Sequence, residues 1–95
     1  LNGRKPNKEE KKWLDAITEL GCIVCRQEMN IYSPAEVHHI NGGSNHLESI
    51  PLCFEHHRSG RYSKPCTSRH PYKGMFFKLY GSDRELLDIV KEMLK

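Results

Sequence analysis

The chain has 95 residues, with four cysteines, six histidines and a formal net charge of +3 at neutral pH. That length makes one small domain, 1–95, with a modest core that a metal or disulfide clamp would help to hold. No apolar run is long enough to cross a bilayer and no signal-peptide pattern opens the chain, so a membrane partner is not expected.

Four cysteines are too few for a dense disulfide framework. Three of them fall into a Cys-x-x-Cys and a Cys-x-x-His, the spacing of zinc sites, which points to a reducing, cytoplasmic setting. A first residue other than Met fits the folded part of a longer protein.

In chain order, residues 1–7 read as a flexible basic arm. Asn7 with Glu10 matches a capping box, and Trp13, Leu14, Ile17 and Leu20 recur at helical spacing, which predicts a helix over about 8–20. Trp13 belongs to its core stripe, and Gly21 is a stop signal. Cys22-Ile23-Val24-Cys25 then suits a knuckle turn, and residues 26–34 a polar loop. Ala35 to Ile40 suits a strand, Asn41-Gly42-Gly43 a turn or wider loop, and Ile50 to Leu52 a second strand, with Pro51 implying an edge. A short helix is expected from near Cys53 to Gly60, then loop to His70. Pro71 would open a helix ended by Gly81, and Ser82 with Glu85 caps a last one.

The charge distribution says more than its sum. Arg4, Lys5, Lys8, Lys11 and Lys12 crowd the start, while Arg58, Arg61, Lys64, Arg69, Lys73 and Lys78 fall in a stretch with no acid. A basic run leading out of a histidine cluster is the footprint of a nucleic-acid binder, with Lys5, Lys8, Arg58, Arg61, Lys64, Arg69 and Lys73 as candidate DNA contacts.

Cys22, Cys25, Cys53 and His56 supply two close pairs of soft or borderline ligands, as a closed tetrahedral structural Zn²⁺ site requires. Cys66 is an alternative fourth ligand. If Cys53 and His56 face that ion, His57 points elsewhere on its helix. His38 and His39, adjacent on a strand, leave on opposite faces, so one is able to bind a metal while the other stays bare.

The runs VHHI at 37–40 and PLCFEHH at 51–57 resemble the HNH endonucleases, and the cysteine pairs match their zinc-bearing members. The resemblance implies an α+β fold: a zinc-stabilised ββα-metal core at 22–59, with flanking helices on the N-terminal side and at 71–95. Within that group the chain is similar to the phage recombination-enhancement, RecA-dependent nucleases, through GCIVC at 21–25, AEVHHI, IPLCFEHHRSG and FFKLYG. The resemblance implies His38 and His57 as ligands of a catalytic divalent ion (Mg²⁺, Mn²⁺ or Zn²⁺) and His39 as general base. It also implies DNA as substrate, direction by RecA filaments, and a bacterial or phage-infected cell. Two positions depart from the pattern. Glu48 stands where the family usually has Asn, and would brace the loop, a role open also to Asn41, Asn45 or His46. Arg61 stands where a third metal ligand is usual, and His70 is the candidate replacement. The competing class is a non-catalytic zinc module that binds nucleic acid, which would need the four clamp ligands but not His38, His39 and His57 together. A redox protein built on Cys22 and Cys25 lacks the βαβ surroundings it would need.

Overall fold

Helix α1 (Lys8–Leu20) begins where Asn7 accepts the Glu10 amide through its side chain and Glu10 returns the bond to the Asn7 amide, so both ends of the capping box are closed. It ends at Gly21, whose φ of +84° is open chiefly to glycine, and a β-carbon there would sit 2.7 Å from the Ser33 carbonyl oxygen. The computed structural model describes residues 5–40, 45–63 and 66–95; Arg4, the Asn41-Gly42-Gly43 turn and Lys64 lie outside them.

The expected knuckle turn is instead the first turn of a helix. Cys22 caps α2 (Ile23–Met29) by accepting the Cys25 amide on its sulfur, and Asn30 closes it in the left-handed conformation at φ 54°. Ile23 and Val24 are weak helix formers, but both are fully buried, and packing overrides that preference. The polar loop expected over 26–34 is shortened accordingly.

Strands β1 (Glu36–His39) and β2 (Ser49–Leu52) form an antiparallel pair with His38 opposite Ile50 and His39 opposite Ser49. Among the described residues each has one neighbour, which accommodates Pro51 and its missing N–H. β2 is buried along its whole length, with α1, α2 and α5 (Asp83–Met93) packed around it. Helix α3 (Phe54–His57) follows directly. The stretch expected to be loop contains a second small ladder, β3 (Tyr62–Ser63) against β4 (Cys66–Thr67).

Helix α4 (Lys73–Tyr80) starts two residues after Pro71, because the chain just before it is tied elsewhere: the Arg69 and His70 amides donate to the His56 and His57 carbonyls. α5 opens on a closed Ser82–Glu85 capping box, as its sequence predicts. The result is a small α+β fold. Ile17, Ile23, Val24, Ile50, Leu52, Phe76, Leu86, Leu87 and Val90 form its apolar centre, each burial contributing roughly 1.5–3 kcal/mol. No helix among the described residues is long and apolar enough to cross a membrane.

Candidate metal centres

The four clamp residues converge. Cys22 comes from the cap of α2, Cys25 from its first turn, Cys53 from the cap of α3 and His56 from its body, and all four are buried. The Cys25 and Cys53 sulfurs are 3.8 Å apart, and His56 Nδ1 lies 3.8, 3.6 and 3.3 Å from Cys22, Cys25 and Cys53. Zn–S bonds of about 2.3 Å and a Zn–N bond of about 2.05 Å in a tetrahedron give edges of about 3.8 Å between sulfurs and about 3.6 Å from sulfur to nitrogen. The cluster therefore has the dimensions of a zinc site, and its donor set suits a structural metal ion such as zinc.

Hydrogen bonding to Cys53, then burial, pushes the Cys22 thiol far up; the same bond, with help from His56 and against burial, pulls Cys53 down. Burial also raises Cys25. A divalent ion would resolve this by displacing the protons outright. The His56 ring stands edge-on to Tyr80, and its other nitrogen, Nε2, is buried without a partner among the described residues. That ring is thus left to be anchored through Nδ1. Cys66 is half-buried and gives its thiol hydrogen to the Glu55 carbonyl (3.4 Å), outside the converging four.

The histidine pairs divide as their local geometry requires. His38 and His57 meet His70, with ligand atoms within 4.8 Å of one another and ring centres 5.2, 5.2 and 5.3 Å apart. His38 is buried, His57 half-buried and His70 exposed, so this triangle opens to solvent on one side. Three imidazoles suit a transition-metal ion with positions left open. Burial pushes His57 and His70 toward the neutral form that a ligand must have, Glu36 partly opposing this at His57 and the nearby His38 and Arg69 adding to it at His70.

Two carboxylates that the sequence reading did not single out stand behind these rings. Glu36 Oε1 lies 2.8 Å from His57 Nδ1, and the carboxylate takes a two-pronged bond from Arg58 at 2.9 and 2.7 Å. These bonds, Arg58 first, hold Glu36 down to about 2. Asp83 Oδ2 lies 3.4 Å from His38 Nε2, and the same carboxylate is gripped by Arg69 at 3.0 and 2.8 Å. Burial alone would raise the Asp83 carboxyl, but the bonds from His38 and Arg69 outweigh it and leave it well below the usual range. Glu36 shares a strand face with His38, a signal available in the sequence; Asp83, forty-five positions from His38, gives no such signal.

His39 leaves the opposite face of β1 and meets His46, Nε2 to Nδ1 at 3.0 Å. Burial, then the proximity of His46 and His38, lowers its basicity and keeps it neutral near pH 7. His46 is steadied in turn: its carbonyl accepts the buried Ser49 hydroxyl (2.7 Å), to which Trp13 Nε1 donates (3.2 Å). The Glu48 carboxylate is directed instead to Arg84 (3.2 Å), and Glu48 braces the loop through its backbone, bonding to Ile40 and Asn45.

The expected basic surface is partly neutralised by acids from elsewhere in the chain. Arg58 pairs with Glu36, Arg61 with Glu55 (2.7 Å) and Arg69 with Asp83, the last 11% exposed and lying over the Phe77 ring. Lys5, Lys8 and Lys73 are exposed. A family model described as recombination enhancement, RecA-dependent nuclease matches residues 6–95 of the chain.

Proposed function

The chain belongs to the recombination-enhancement, RecA-dependent nuclease family, and from that premise we propose that it is a metal-dependent DNA endonuclease of the HNH type. In this reading β1, β2 and α3 are its ββα-metal core. The observation that carries the proposal is the divergence of two adjacent rings: His38 turns into a three-histidine triangle and His39 into a separate, half-buried position backed by His46.

In this reading His39 Nε2–H donates to His46 Nδ1, which leaves His39 Nδ1 with a lone pair to take a proton from water as the water oxygen attacks phosphorus. His46, seated by Ser49 and Trp13, orients that base. His38, His57 and His70 would hold a divalent ion, Mg²⁺, Mn²⁺ or Zn²⁺, which when bound would offset charge on the phosphoryl transition state and on the departing 3′-oxygen. Cys22, Cys25, Cys53 and His56 would hold a structural zinc that couples α2 to α3 and so fixes His57. Lys5, Lys8 and Lys73, with Lys64 and the exchangeable surface pair of Arg61, would contact the DNA backbone and give salt-sensitive, weakly sequence-selective binding. The family's name supports direction to its target by RecA filaments, and hence action in the cytoplasm of a bacterial or phage-infected cell.

The test compares wild type with His39→Ala in plasmid nicking with Mg²⁺ or Mn²⁺, with and without RecA filaments. Both proteins should retain one tightly held zinc, and cutting should fall by about 10²–10⁴-fold in the variant. Wild type that binds DNA but never cuts it, with any of these ions and with RecA supplied, would establish the non-catalytic zinc-module reading instead.

A further inference from the structure

Both carboxylates behind the three-histidine triangle are built alike. Each receives a two-pronged bond from an arginine adjacent in sequence to one of the three histidines: Arg58 follows His57, and Arg69 precedes His70. Each also faces one ring nitrogen of a histidine in the triangle: Glu36 faces His57 Nδ1 and Asp83 faces His38 Nε2. An ionised carboxylate only accepts hydrogen bonds, so the nitrogen that faces it must carry the hydrogen. The facing nitrogen differs between the two rings.

We propose that Asp83 and Glu36 are positioning residues that impose opposite tautomers on His38 and His57, leaving His38 Nδ1 and His57 Nε2 to take the ion. This rests on reading the triangle as an ion site. The two arginines are then parts of the ligand mounting, fixing each carboxylate in plane by a fork that a single-point cation would not reproduce. Asp83 is 7% exposed and is the first residue of α5, while Arg69 lies 4.9 Å over the Phe77 ring of α4. Both C-terminal helices therefore bear on the orientation of a ligand that stands on β1. This gives α4 and α5 a role beyond covering the core. Outer-shell carboxylates of this kind set the direction of the lone pair and raise its basicity, and their loss weakens metal binding by about 10–100-fold.

The experiment uses the whole chain with zinc in the cysteine site and none in the triangle. Long-range proton–nitrogen spectra at mildly alkaline pH report the tautomer of each ring, and a Mn²⁺ titration reports affinity. Wild type should show His38 with hydrogen on Nε2 and His57 with hydrogen on Nδ1. Asp83→Ala should scramble His38 alone, Glu36→Ala should scramble His57 alone, and each should weaken Mn²⁺ binding about 10–100-fold. Asp83→Asn, which keeps an acceptor, should keep the His38 tautomer and bind Mn²⁺ more tightly than Asp83→Ala. The proposal is overturned if wild-type His38 carries hydrogen on Nδ1, a result that does not depend on any variant folding. It is also overturned if Asp83→Ala folds with its His38 signals unchanged and Mn²⁺ affinity within about twofold of wild type. Wild type with both tautomers and firm Mn²⁺ binding but no cutting would sink the nuclease reading and leave this one standing.

Discussion

The two clusters share α3 but are built on opposite plans. The cysteine cluster is closed, with its four members buried, two contributed by each helix start, and a Cys25–Cys53 sulfur spacing that matches a tetrahedral edge. The histidine triangle is open: its members grade from buried to exposed and come from β1, α3 and the segment before α4. Closed, thiolate-rich sites hold folds together, whereas sites with a solvent-facing side and imidazole ligands leave room for a substrate. His56 and His57, neighbours in one short helix, each face a different cluster. The two clusters are thus joined through a single turn of helix.

That contrast is open to test, and the largest effect should come from the closed side. Cys53→Ser should abolish cooperative unfolding and release zinc to a colorimetric chelator, since binding free energy at such sites is folding free energy. A Cys53→Ser protein with native far-ultraviolet dichroism and an unchanged melt would break the comparison. Next in size is Gly21→Ala, at the entrance to the same cluster. Its positive φ and the 2.7 Å approach to the Ser33 carbonyl oxygen predict a loss of about 1–3 kcal/mol in denaturant unfolding. The open side should answer differently. His70→Ala should cut affinity for the second ion while leaving the thermal midpoint almost unmoved; a fall comparable to that of Cys53→Ser would mean that the triangle, too, is structural. The smallest change is expected from Lys73→Ala, which touches neither cluster. It should weaken DNA binding about equally across sequences and reduce the salt slope by roughly one phosphate contact, with stability unaltered.

Much of this plan is written locally. Both capping boxes are four-residue signals, and both close as their residues predict. Gly21 and Gly81 end helices because their backbones adopt φ values that glycine tolerates. The pairing of Cys22 with Cys25 and of Cys53 with His56 needs only a helical turn to bring the two members of each pair together. The split between His38 and His39 follows from the alternation of a strand.

Other features had no local signature. α2 forms where a turn and loop were expected, because Ile23 and Val24 find a buried place that compensates for poor helix propensity. The β3–β4 ladder consists of two-residue strands, too short for a periodic pattern. The basic stretch from Arg58 onward is written without an acid, yet Glu36, Glu55 and Asp83 arrive from other segments to pair with three of its arginines. Glu48 occupies the expected sequence position for bracing the loop, but the fold brings His46 to His39 and sends the Glu48 carboxylate to Arg84.

The sequence by itself determined the ligand types, their pairwise spacing and the elements that carry them, since each depends on residues within a few positions of one another. Tertiary structure alone decided which carboxylate stands behind which ring and which arginines are left for a partner. Those pairings join points up to forty-five residues apart, and the packing of α5 against β2 and of α3 against β1 sets their distances.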